Sequence, residues 1–351
     1  MILNTYKHMA STSFKPKHVT KKLLSPLSGR AKDVITNRFG LSDDATKKTL
    51  DAIGKTYGIT RERVRQIENF ALNAIRKSRQ FEEERAVFEE LKNTIVKLGA
   101  IISEEDVLNH LSKDKLTQNH IYFYLVLGDD FTRHREDDHF KHRWSVSDNV
   151  ADTVHISLKK LFEALTEDEL LAEEDVISKF LYHLGDLAEE YRGKEILRRY
   201  LSISKAIDKN QLNEWGRASS SHVKARGIKD YAYLVMRKGG HPMHFKEVAQ
   251  MITKLFSKKA HVATCHNELI KDKRFVLVGR GIYGLKDWGH TGGIVRDVIT
   301  RVLNEAKKPL SKDEIISEVS KERIVKPNTI LVNLQNGKYF KKTKEGLYKV
   351  A

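Results

Sequence analysis

The sequence predicts a mainly α-helical chain of tandem helix-turn-helix and winged-helix modules with short β-hairpin wings, and three observations support that fold class. Helical periodicity dominates the 351 residues. Short β-like endings close successive helical stretches at intervals of roughly 65 residues, the signature of a small repeated unit. Charge is segregated: Lys and Arg outnumber Asp and Glu by 17 to 6 over residues 1–80 and by 27 to 12 over 221–351, but fall short by 19 to 29 in between. The two basic ends are the candidate faces for a polyphosphate backbone, which binds cations by releasing condensed counterions.

Composition narrows the function classes. An apolar share of 40% and a charged share of 31% suit several small domains with much surface better than one compact enzyme. The one cysteine, Cys265, permits neither a disulfide framework nor a cysteine-based zinc site, and fits a reducing cytoplasm. No apolar run approaches the roughly 18 residues that cross a bilayer, so no membrane partner is expected. Residues 1–22 read as a flexible basic arm.

The modules follow in order. Residues 23–80 hold a helix-turn-helix. Residues 81–148 fit a winged-helix order, with helices over 87–98, 104–111 (capped by Ser103) and 118–127, then a possible wing over 131–146. Residues 149–216 carry helices near 157–164, 173–182 and 194–201 and show no wing, a degenerate version of the same unit. Residues 217–227, opening Arg217-Ala218-Ser219-Ser220-Ser221, are a polar linker. Residues 228–289 repeat the full order: helices over 231–237, 245–255 and 262–271, then strands over 275–278 and 282–285 about Gly279-Arg280-Gly281. Residues 290–351 repeat it again, with helices over 294–306, 314–319 (led in by Ser311) and 327–334, and strands meeting at Glu345-Gly346.

The sharpest local signal lies in residues 27–79. A helix through Ile53 meets a tight turn in which Gly58 supplies a left-handed conformation and Thr60 caps the next helix. That helix packs Val64, Ile67, Ala71, Leu72 and Ile75 inward. Its start exposes Arg61, Glu62, Arg65 and Gln66, types that read base edges in a major groove: Arg to guanine, Gln to adenine, Glu to cytosine. Thr49-Leu50, Ile53-Gly54, the run from Gly58 to Glu68, Ala71-Leu72 and, upstream, Val34-Ile35 with Arg38 to Leu41 closely resemble region 4 of primary-type sigma factors. The resemblance implies that Arg61, Glu62, Arg65 and Gln66 face bases, that Thr60 and Arg63 reach phosphate, and that double-stranded promoter-like DNA and the bacterial RNA polymerase core are partners. Sigma factors place promoter-melting regions before this domain, whereas only some 25 residues precede it here, so an ordinary stand-alone initiation factor is not expected.

Residues 228–289 resemble the HARE-HTH winged helix of RNA polymerase delta subunits, on the stretches from His241 to Ala249, His266 to Ile270 and Arg274 to Leu285, with Trp288. That family includes modules proposed to bind DNA and modules that contact polymerase. Lys258, Lys259, Lys271, Lys273, Arg274 and Arg280 lie near its third helix and wing, where a backbone would pass, and Lys341 and Lys342 sit on the wing of the last module.

Other constellations are weaker. His134, His139 and His142 with Asp137 and Asp138 match no familiar metal spacing, and a charged wing is the better account. Gly279-Arg280-Gly281 precedes a strand, not a helix, which excludes a dinucleotide loop. The acidic groups at 104–106 and 173–175 sit at helix starts, where the macrodipole favours carboxylates over acid-base work. Residues 121–124 read as core. The sequence thus predicts a non-enzymatic, cytoplasmic, nucleoid-associated DNA-binding regulator with no cofactor, metal or small-molecule substrate. A polymerase-binding adaptor that reads no DNA and the recognition subunit of a restriction system are the alternatives.

Overall fold

The computed structural model describes residues 13–290 and 292–351, which fall into two compact units divided between Ser219 and Ser220. Residues 1–12 of the expected arm lie outside the described part. The remainder of that arm is not loose: Pro16, placed where a helix loses no amide bond, opens α1 (Pro16–Leu23), whose Val19, Thr20 and Leu23 are buried.

In the first unit α1 leads to α2 (Gly29–Phe39), α3 (Leu50–Tyr57) and α4 (Arg61–Arg76). A short α5 (Arg79–Glu83) and α6 (Arg85–Lys97) carry the chain to β1 (Ile101–Ser103), α7 (Glu104–Leu111), α8 (Lys115–Leu127), β2 (Thr132–His134) and β3 (Arg143–Ser145). The three strands form one antiparallel sheet in the order β1-β3-β2, completing the wing expected over 131–146.

One apolar cluster runs from Val19 to Trp144, across position 80 where a module boundary is expected. Its centre is α8. Ile121, Phe123, Tyr124, Leu125 and Leu127 are buried, with Phe123 against Phe39 at 5.2 Å between ring centroids. Polar contacts fix the register of that packing. Asn119 donates to the carbonyls of Gly40 and Ala45, both at 2.9 Å, and Thr20 Oγ1 bonds His120 Nδ1 at 2.8 Å and the Tyr124 hydroxyl at 2.7 Å. Arg76 donates to the carbonyls of Val126 and Leu127, so a cation satisfies the end of α8.

The next module comprises α9 (Asp148–Ala164), α10 (Glu173–Leu184) and α11 (Lys194–Ile203), followed by β4 (Ile207–Lys209) and β5 (Trp215–Arg217). The hairpin corrects the expectation that this stretch has no wing. Its turn is built on Asn210, whose Oδ1 accepts from the amides of Leu212 and Glu214, and on Asn213 at φ 62°. Trp215 also bridges to Leu171. The preceding wing docks here through Lys141 N–H to the Ile203 carbonyl at 3.0 Å and Lys205 N–H to the His139 carbonyl at 2.7 Å.

The second unit comprises α12 (Ile228–Gly239), β6 (Met243–His244), α13 (Phe245–Phe256), α14 (Val262–Lys271), β7 (Phe275–Gly279) and β8 (Ile282–Leu285). There follow α15 (Val295–Ala306), α16 (Lys312–Glu322), α17 (Pro327–Leu334), β9 (Phe340–Lys342) and β10 (Tyr348–Val350). Ile324 donates its amide to the Val278 carbonyl at 2.7 Å, so the last module covers the edge strand β7 of its neighbour. Gly279 is required there, because a Cβ would stand 2.6 Å from the Ile324 carbonyl oxygen.

Two predictions follow from these cores. Phe123→Ala removes a wholly buried ring and costs about 3–5 kcal/mol; urea unfolding should show residues 23–80 and 81–147 melting in one shifted transition, since they share that ring. His155 accepts from Arg143 Nε at 2.6 Å, and burial, then the Arg143 charge, push its pKa from 6.5 down to about 4. A depressed folded pKa favours the neutral ring, so stability is full above about pH 6.5 and falls as pH drops toward 4. Denaturation midpoints at pH 7 and pH 5 should show that loss, and it should shrink in His155→Gln.

Candidate nucleic-acid interface

The turn between α3 and α4 is specified residue by residue. Gly58 takes φ 63° and ends α3, and the Ile59 amide donates back to the Gly54 carbonyl at 3.0 Å. A Cβ on Gly54 would lie 2.6 Å from the Ile59 carbonyl oxygen, so only glycine lets the two segments approach this closely. Thr60 Oγ1 then accepts from the Arg63 amide at 3.2 Å and caps α4. Val34, Ile53 and Val64 form a small core under the turn, while Ala71, Leu72 and Ile75 carry the far half of α4 into the large cluster around α8.

This packing leaves Arg61, Glu62, Arg63, Arg65 and Gln66 exposed together on the first two turns of α4. Arg65 grips Glu62 with two bonds, Nε to Oε2 at 2.8 Å and Nη2 to Oε1 at 2.7 Å, and this hydrogen bonding holds the Glu62 carboxyl below its usual range. Arg63 Nη1 donates to Gln66 Oε1 at 3.1 Å. Solvent screens exposed pairs of this kind, so exchanging them for bonds to a base edge or phosphate costs little. A further exposed position is a surprise: Phe70, 69% exposed, leaves a large apolar ring in water one turn beyond Gln66. Its signal in the sequence is its place outside the apolar face of α4.

The cations expected on the second unit divide into two sets. Lys259, Lys271, Lys273, Arg280, Lys341 and Lys342 are exposed. Lys258 instead rests 4.5 Å from the centroid of the Tyr231 ring and donates to the Arg226 carbonyl at 3.3 Å. Arg274 is held inside the fold, pairing with Asp272 at 2.8 Å and Asp230 at 3.0 Å and facing the Tyr233 ring, so its guanidinium ties α12 to the start of β7. A phosphate contact from Arg274 would compete with that bonding. Around the β2–β3 wing, Asp137 accepts from the amides of His139 and Phe140 and pairs with Arg143 at 3.3 Å, and His142 Nδ1 accepts from the Glu136 amide at 2.9 Å. These groups organise the wing.

Because its hydroxyl satisfies an otherwise orphaned amide, Thr60→Ala is expected to cost about 1 kcal/mol, and Thr60→Ser much less. Thermal melts of the two variants check this.

Comparison with known proteins bears on the first module. Residues 23–77 match the family described as Sigma-70, region 4. The chain is 41% identical over 75 residues to the RNA polymerase sigma factor RpoD of Helicobacter pylori strain 26695, a match covering 21% of this chain and 11% of that protein. It is 50% identical over 56 residues to the RNA polymerase sigma factor SigA of Nostoc strain PCC 7120, covering 16% of this chain and 14% of that protein. The matches therefore span a small part of each partner. Within that span, the turn glycines, the Thr60 cap and the exposed start of α4 belong to a Sigma-70 region 4 domain.

Proposed function

We propose that this chain is a DNA-binding regulator of transcription, acting with RNA polymerase, in which α4 enters the major groove of promoter-like duplex DNA. Arg61, Glu62, Arg65 and Gln66 read base edges, and Thr60 and Arg63 hold the backbone. The observation that carries the proposal is the joint exposure of these side chains on the capped start of α4. The similarity of residues 23–77 to region 4 of sigma factors supports both the duplex and the polymerase as partners.

In the second unit, Lys259, Lys271, Lys273 and Arg280 on a HARE-HTH-like winged helix, and Lys341 and Lys342 beyond it, add backbone contacts without sequence preference. Lys258 supplements them only by leaving the Tyr231 ring, and Arg274 serves the fold. The work is binding, with no catalytic step, in the cytoplasm at the nucleoid. Among the described residues no helix is long and apolar enough to cross a membrane.

Arg65→Ala and Gln66→Ala should each relax preference at one base pair by about 1–3 kcal/mol, roughly fivefold to 150-fold. Footprinting on genomic fragments, with and without RNA polymerase, reads this. Unchanged protection in both variants would refute base reading by α4, and retained polymerase binding without any footprint would favour the adaptor.

A further inference from the structure

We propose that a pocket between the region 4 helices and the following module binds a phosphate group. The pocket is an open cleft of about 320 Å³, lined by Arg38 of α2, Lys47 before α3, Glu68 of α4, Tyr122 of α8, and Glu104 and Arg133 of the winged module. Glu68 stands one turn below Arg65, so the pocket borders the face that carries the exposed start of α4.

Its charges are unbalanced. Glu104 accepts from Arg133 Nε at 3.2 Å and from Trp144 Nε1 at 3.0 Å, and Glu68 pairs with Arg38 at 3.5 Å, which leaves both carboxylates occupied. Lys47 has no such partner: among the described residues it makes no ion pair, and its ammonium lies 4.0 Å from the centroid of the Tyr122 ring. Lys47 as a residue stays exposed, but its ammonium is partly desolvated against the Tyr122 ring; that desolvation, then repulsion from Lys115, pushes its pKa down to about 8. An oxyanion beside Lys47 and Arg133 would supply the missing charge and accept charge-assisted bonds from both. A stacking ligand is disfavoured, because Lys47 and the Arg133 guanidinium, 5.3 Å from the ring centroid, already crowd Tyr122. Recognition is therefore of the phosphate, and the volume leaves room for the sugar attached to it.

Such a group comes either from a small phosphate ester or from the backbone of a duplex seated on α4. The second source rests on the DNA reading proposed above; the first does not. The test uses the full chain in two arms. In one, ribose 5-phosphate is titrated at constant ionic strength while Trp144 fluorescence is followed, with Trp144→Phe identifying the signal. In the other, duplex affinity is measured against salt.

Lys47→Gln should abolish the ester titration, or weaken every duplex alike and lower the salt slope by about one. Lys47→Arg should retain the behaviour of the parent chain. If Lys47→Gln matches the parent in both arms, the phosphate site is refuted, whatever Arg65→Ala shows. If duplexes show no dependence on Arg65 but the ester titration is lost in Lys47→Gln, the site stands and the reading of α4 falls.

Discussion

The burial of α8 against α1, α2 and α4 is the constraint on which the first unit depends. A helix-turn-helix of this size has little core of its own, here Val34, Ile53 and Val64 with their partly buried neighbours. The remainder of its apolar surface is covered by another module's helix, with Phe123 and Tyr124 at the centre. Apolar burial alone would tolerate sliding. Asn119, bonded to two carbonyls in the loop after α2, and Arg76, bonded to two at the end of α8, select one register. The direction in which α4 points is thus set by groups from both modules.

Function on this scaffold follows from what is left outside. The side of α4 with apolar residues at helical spacing is buried, and the first two turns of its other side hold five polar, long-reaching side chains in solvent. Their mutual bonds, Arg65 to Glu62 and Arg63 to Gln66, pre-arrange them without committing them. The second unit is assembled differently. There a backbone bond between Ile324 and Val278 and the buried Arg323, which donates to the Leu277 carbonyl, join the two modules, leaving lysines on their surfaces.

Much of this was legible in the residues, for identifiable reasons. Caps and periodicity coincide at Ser103 before α7 and Pro327 at the start of α17, and α14 is bounded by its own apolar spacing, so these helices fall where the sequence predicts. Elsewhere local signals were too thin. The β4–β5 hairpin has strands of three residues, and its turn rests on Asn210 and Asn213 without a glycine. Helix α1 lies in a lysine-rich stretch where only Val19 and Leu23, one turn apart, betray a buried side. The pairing of Arg274 with Asp230 spans 44 residues, and the Lys47 pocket is assembled from positions scattered between 38 and 144. Long-range pairing of this kind leaves no periodic trace.

The most direct measurement is a selection of bound duplexes from a randomised pool by the full chain at physiological salt. If α4 reads bases, a short motif should be enriched over successive rounds, with guanine or adenine contacts clustered within one major-groove face. A pool that stays random while binding remains strong and salt-dependent would contradict the account, since it would mean that the exposed start of α4 touches only backbone.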